Sequence, residues 1–200
     1  MNFRMYRLTR RKRKARACAW ELLIALDGNK KPLKRIGLAA LILMAAFSAF
    51  GEEYLGRDEF LNLAFGNEQP IMHTLWLTND TRSAAKDVVG WIPPALRLRY
   101  WQLGDGTAWI LEDIGRNKLI TLGVVVSGNQ IERIEVLAFR ESRGWEIRYP
   151  FFTSQFIGLT LAPDGYLSRP IDGITGATLS VCAVERVARL ALWLDMQVDS

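Results

Sequence analysis

The sequence predicts an α+β domain: a twisted, mostly antiparallel sheet with packed helices, preceded by an N-terminal export signal or membrane anchor. Three observations predict it. Paired segments of β-branched and aromatic residues meet across glycine-containing turns, as strands of hairpins do. A long segment near the C-terminus carries one apolar stripe at helical spacing. The charge is divided: Met1 to Arg35 holds twelve lysines and arginines against two acids, a net +10, whereas the other 165 residues hold fourteen against nineteen, a net −5. Half of the 200 residues are hydrophobic and 10% aromatic, enough to bury a core, which excludes wholesale disorder.

Ile36 to Phe50 (IGLAALILMAAFSAF) has no charge and is followed by Gly51 and Glu52-Glu53. A basic flank, an apolar stretch and an acidic exit orient a chain with its N-terminus in the cytoplasm. Fifteen residues rise about 22 Å as a helix, which suits the core of a signal peptide as well as a short anchor. The segment therefore reads as cleaved or anchored, with a buried core helix as the plainer alternative. The chain divides into a basic cytoplasmic leader over 1–35, the signal or transmembrane segment over 36–51, the N-terminal part of an exported domain over 52–118, and its core over 119–200. The run RRKRKAR at 10–16 has the composition of a nucleic-acid contact, but its confinement to the leader argues for anionic lipid and against a nucleic-acid partner. Cys18 and Cys182 fall on opposite sides of such a membrane, which excludes a disulfide framework. His73 is the single histidine, so neither a catalytic triad nor a histidine-bound metal is indicated.

Within the exported part, Glu53 to Phe65 reads as an amphipathic helix stopped by Gly66. Ile71 to Thr78 reads as a strand, and Asn79 or Asp80 as the cap of a helix reaching Val89. Pro93-Pro94 breaks the chain. Leu96–Gln102 and Thr107–Glu112 form one hairpin around Gly104-Asp105-Gly106. Leu119–Val126 and Gln130–Phe139 form a second around Ser127-Gly128-Asn129, with a bulge implied by the imperfect alternation of the latter strand. Trp145–Tyr149 reads as another strand, and Pro150–Ile157 as a short helix begun by proline and ended by Gly158. Ala177–Leu194 is the final helix, its stripe formed by Val181, Val184, Val187, Ala188, Ala191 and Leu194.

The chemically informative run is Ile171 to Ser180, IDGITGATLS. Asp172-Gly173 turns the chain, Thr175 is placed to cap the helix, and Gly176-Ala177 admits a close neighbour. The N–H groups and dipole of a helix start favour an anion, by about 0.3–1 kcal/mol at an exposed site. An ordinary capped helix rich in small residues fits the same run. No lysine follows the glycines as a P-loop requires, and no base accompanies Thr178 as a nucleophilic threonine requires.

Asp172-Gly173-Ile174-Thr175-Gly176-Ala177-Thr178-Leu179-Ser180 resembles the flavinylation motif of the FMN-binding domain family: Asp, two variable positions, Ser/Thr, Gly, Ala, Thr/Ser, one variable position, Ser/Thr. Every fixed position is matched. Further likeness lies in the 127–129 turn, in Phe139-Arg140-Glu141-Ser142-Arg143-Gly144, and in Phe156-Ile157-Gly158. Ser142-Arg143 departs from the Thr-Pro common in the family. The likeness covers about 119–194 and leaves 52–118 outside it. Members include the flavin subunits of the sodium-pumping NADH:quinone oxidoreductase and of the Rnf complex.

The resemblance implies FMN covalently attached through its phosphate to Thr178 by a magnesium-dependent flavin transferase of the ApbE type. It implies that Asp172, Thr175, Gly176, Ala177 and Ser180 shape the motif and that Glu141 and Gly144 line the flavin pocket. Trp145 and Phe156 are candidates for ring contact, with core packing as the plainer role. The expected function is electron transfer between membrane or periplasmic redox partners, on the periplasmic side of a bacterial inner membrane. The alternatives are a flavin-dependent reductase of a small extracytoplasmic substrate and an unmodified structural or sensory subunit. Trp91, Tyr100, Trp101 and Trp109 crowd the first hairpin and suit either a docking surface or a core.

Overall fold

The structure, a computed structural model, describes residues 52–91 and 93–198. The basic leader and the apolar segment 36–51 lie outside the described residues, as does the export signal or anchor read there. Among the described residues no helix is long and apolar enough to cross a membrane.

The sheet is built outward from its most apolar hairpin. β5 (Leu119–Ser127) and β6 (Gln130–Phe139) meet at Gly128 and Asn129, whose φ angles of 55° and 61° are the two left-handed values of a type I′ turn. β4 (Gly106–Ile114) pairs β5 along its whole length, β3 (Arg97–Leu103) pairs β4, and β2 (Ile71–Trp76) forms one edge. The two-residue β1 (Glu52–Glu53) adds the other edge against Phe139 and Ala138. The order is β1-β6-β5-β4-β3-β2, and every pairing is antiparallel. Residues 52–118 and 119–200 thus share one sheet.

The expected irregularity in β6 is present twice. The register passes from Val126↔Ile131 to Val125↔Arg133, and from Leu122↔Val136 to Thr121↔Ala138, leaving Glu132 and Leu137 unmatched. Each extra residue resets the alternation, so Ile131, Ile134, Val136 and Phe139 all reach one core while Leu137 turns to the opposite face.

On that principal core lies α4, Thr178–Val198, with all six residues of its predicted stripe buried. The helix α2 (Asn79–Val89) packs beside it. On the other face α1 (Arg57–Phe65) drives the fully buried Phe60 onto Gly123 of β5, where an added Cβ would meet the ring at 2.6 Å. Tyr100 and Trp109 are interior, stacked at 4.7 Å, and His73 stacks on Tyr100 at 5.2 Å. Most of the aromatic density around the first hairpin is therefore packing.

Four local expectations are corrected. Glu53, expected to open the helix, is strand together with Glu52, because β6 offers them an open edge, and α1 begins only after extended Gly56. The cap of α2 is Thr78, whose hydroxyl accepts from the Thr81 N–H at 3.2 Å, rather than Asn79 or Asp80. Trp145–Arg148 is a 3-10 turn rather than a strand: Gly144 enters it at φ 87°, and Ile147 N–H and Tyr149 N–H bond back three residues. Pro150–Ile157 divides into a short helix, α3 (Pro150–Thr153), and a 3-10 turn (Ser154–Phe156).

Candidate functional site

The motif is folded as a turn that delivers the chain into α4. Ala177 N–H donates to the Ile174 carbonyl at 3.0 Å, closing a turn with Gly176 at its third position. Gly176 has φ 82°, the left-handed value that a type II turn requires there, and a Cβ on it would meet nothing within 4 Å. Conformation, and not space, calls for glycine. The Ala177 carbonyl then accepts from Val181 N–H at 3.0 Å, which makes Ala177 the N-cap. Thr175 lies in the turn instead of at the cap as expected, because the Gly176 turn separates it from the helix. Alanine has no acceptor to offer the first-turn N–H groups, and no acid occupies that turn. Thr178, the first helical residue, is exposed with its neighbours Thr175 and Gly176.

Two sequence-distant segments hold this helix start. Gly144 lies against it so closely that a Cβ would meet Ser180 Oγ at 2.8 Å and Ala177 Cβ at 3.1 Å. Three predicted site residues, Gly144, Ala177 and Ser180, are therefore in one contact, with Ser180 and Ala177 buried beneath exposed Thr178. Asp172 is exposed, and its backbone N–H donates to Gln155 Oε1 at 2.8 Å; Arg169 Nη2 donates to the Gln155 carbonyl at 3.1 Å. Gln155, which sequence reasoning missed, thus pins the approach to the motif.

Glu141 is used differently. Its Oε1 accepts from Asn117 N–H at 2.5 Å and Lys118 N–H at 2.7 Å, tying β6 to the β4–β5 turn. Burial pushes its pKa up, but backbone donors at Asn117, Lys118 and Arg116, together with the Lys118 charge, outweigh burial and hold the carboxyl below its ordinary value. Two turns along α4, Arg186 Nε donates to Asp113 Oδ2 at 2.6 Å and Arg186 Nη2 to the Ile114 carbonyl at 3.2 Å. On the same helix, burial pushes Glu185 above its ordinary value, opposed by Arg189 and Arg186. Cys182 is half-buried and free.

The aromatic candidates separate. Phe156 is fully buried against Phe152 and belongs to the core. Trp145 is exposed one residue beyond Gly144, edge-on to Tyr149, with the Arg148 guanidinium over both rings. The site thus combines an exposed hydroxyl, an anion-favouring helix start and a neighbouring aromatic face. Those are the parts a phosphate-bearing aromatic cofactor needs, so the residues present fit FMN.

The long-range parts carried little sequence signal. Gly144 and Ser180 are 36 positions apart, and only their presence in two family-like segments hinted at a meeting. No curated protein matches the chain. Residues 115–192 match the model of the FMN-binding domain. The matched span begins at the turn held by Glu141 and ends within α4, enclosing Gly144 and the whole motif. Residues 115–192 accordingly form an FMN-binding domain of the family that the motif resembles, which supports FMN as the cofactor and a flavoprotein as the class.

Proposed function

We propose that FMN is attached covalently through its phosphate to Thr178 Oγ1, and that the domain is exported, stays with the membrane and carries electrons between redox partners there. The observation that carries this reading is the exposed Thr178 hydroxyl at the unshielded start of a 21-residue helix, inside a complete motif. A flavin transferase reaching the site meets a hydroxyl in solvent. The donor is a flavin dinucleotide: the bond formed joins Oγ1 to the flavin-side phosphorus, the P–O bond of the pyrophosphate breaks, a nucleoside monophosphate leaves, the hydroxyl proton is released, and the protein gains the mass of FMN less water. The phosphodiester keeps one negative charge beside the helix dipole, which favours it. Tethering also suits a compartment without a cytoplasmic FMN supply, since the ring stays at an effective concentration on the order of millimolar. Bound there, the flavin supplies one- or two-electron chemistry, and the chain supplies its position. Trp145, next in the chain to the Gly144 that packs on the helix start, offers an exposed aromatic face. Gly144 permits the close packing that sets the helix start.

Intact mass after co-expression with a flavin transferase tests the reading. The wild type gains FMN less water, Thr178→Ser retains the gain, and Thr178→Val loses it. An unmodified wild type from a competent host overturns it and favours a structural or sensory subunit. A substrate-reducing role has one observation in its favour, an apolar cleft of about 700 Å³ between Trp91, Pro93, Leu98, Ile110 and Leu190. Turnover of a small electron acceptor by the isolated, reduced protein would establish that role, and loss of the turnover in Leu98→Trp would place it in the cleft.

A further inference from the structure

Antiparallel order sorts the strand ends into two sets. One end of the sheet gathers the starts of β1, β3 and β5 and the finishes of β2, β4 and β6. Gly144 brings the start of α4 to that same end, five residues beyond β6. Trp76, Leu96, Ile114, Leu119 and Leu179 all stand there between 42 and 66% exposed. They come from β2, the approach to β3, β4, β5 and α4, so those on the sheet span four neighbouring strands, about 14 Å at ~4.8 Å per strand. The opposite end carries the turns at Gly104-Asp105 and Gly128-Asn129, with exposed Ile71 and Met72 on the edge strand, Ile157 beside the start of β6 and Met196 at the far end of α4.

Cations are interleaved with the apolar residues. Arg97, at the start of β3, and Arg116, Lys118 and Arg143, in loops of that end, are exposed, whereas Asp113 is paired with Arg186 and Glu141 is occupied by backbone donors. Exposed acids at this end are Glu53 at the β1 edge, Asp80 in the first turn of α2 and Glu112 near the finish of β4, where it accepts from the Thr121 hydroxyl. Large apolar side chains alternating with lysine and arginine are the composition of a membrane–water interface, where rings and aliphatic chains enter the headgroup region and cations meet anionic lipid. Ile114 and Leu119 also line the apolar cleft of Trp91, Leu98 and Leu190, so it is the cations around the apolar residues that favour anionic lipid. β1 begins at this end with Glu52, two positions after the uncharged stretch Ile36–Phe50 in the sequence.

We propose that this sheet end docks on a bilayer surface bearing anionic headgroups, with the Thr178 site at its rim. The proposal deepens the membrane reading of 36–50 and rests on it for the tether alone. It assigns the electron partner of the site to the plane of the membrane.

The test uses the full chain, with Cys18 and Cys182 replaced by serine, mixed with vesicles of phosphatidylcholine containing phosphatidylglycerol. Spin labels are placed at Leu96→Cys or Leu119→Cys, and for comparison at Asp105→Cys or Asn129→Cys. Docking predicts that labels at 96 and 119 are several-fold more accessible to oxygen than to a water-soluble nickel reagent, and that labels at 105 and 129 show the reverse. In vesicles of phosphatidylcholine alone, or with Arg116→Glu and Lys118→Glu together, the protection should fall at least threefold. A chain that floats with vesicles in high salt while 96 and 119 stay open to nickel refutes docking and leaves the anchor standing. Protection at low salt, with flotation lost at high salt, upholds docking and refutes the anchor. Failure to float at either salt refutes both. Protection seen in native membranes alone, and absent from lipid vesicles, identifies a protein partner and overturns the proposal.

Discussion

Gly144→Ala should damage the site from 36 residues away. At φ 87° an alanine sits in the left-handed region, which costs about 1–2 kcal/mol. Its Cβ would also lie 2.8 Å from Ser180 Oγ and 3.1 Å from Ala177 Cβ, and overpacking of that kind costs about 1–3 kcal/mol. The two effects together amount to roughly 2–5 kcal/mol, or a fall in melting temperature of about 6–12 °C for a mid-range loss of ~3 kcal/mol. The assay is urea denaturation with flavinylation yield measured in parallel, since the clash moves the turn that presents Thr178. Ser180→Ala removes the closer partner atom, so the double variant should recover about 1 kcal/mol of the loss while the backbone strain stays. Stability of Gly144→Ala within ~0.5 kcal/mol of wild type would refute the packing argument. So would a double variant with no coupling between the two positions.

Three further outcomes follow from the same contacts. Phe60→Ala should cost about 3–5 kcal/mol by emptying the space over Gly123, and hydrogen exchange should then show α1 loosening ahead of the sheet. Arg186→Met should cost about 3 kcal/mol by stranding the Asp113 carboxylate, whose side chain is 9% exposed, and a second change, Asp113→Asn, should restore part of it in denaturation curves. Glu141 has a folded pKa below its unfolded one, so its contribution is present above the unfolded value near 4.5 and is lost as pH falls through the folded value. Glu141→Gln should therefore lower stability at pH 7 and flatten the acid limb of stability against pH; an unchanged limb would show that Glu141 does not tie the 115–118 turn.

Elements with their own local logic were legible in the sequence. The second hairpin needs only alternating apolar residues and a Gly-Asn turn, and its strands fall within a residue of the expected bounds. The final helix declares itself by its stripe, and the motif by its spacing. Elements decided by partners elsewhere were not. Trp145–Tyr149 alternates as a strand would, yet only Ile147 is fully buried, and the left-handed entry at Gly144 converts the segment into a 3-10 turn. Glu52-Glu53 has poor strand character and becomes strand because Phe139 and Ala138 await a neighbour. At the site, the turn that leads into the final helix was legible from the motif. The clasp of Gly144 on Ser180, the engagement of Glu141 with the 115–118 turn and the hold of Gln155 on Asp172 were not, since each joins residues that no local pattern relates.

α4 touches the sheet at three polar or close-packed stations: Ser180 under Gly144, Arg186 with Asp113, and buried Asp195 accepting from the Thr107 hydroxyl, itself bonded by Trp109 Nε1 at 2.9 Å. They are spaced about 9 and 13.5 Å along the axis at 1.5 Å per residue. A slip of one residue would rotate the helix by about 100° and unmake all three at once. The helix is keyed like a shaft, free neither to turn nor to slide, so a group joined to its first hydroxyl as proposed would swing about a fixed pivot, in an arc set by the length of its own arm.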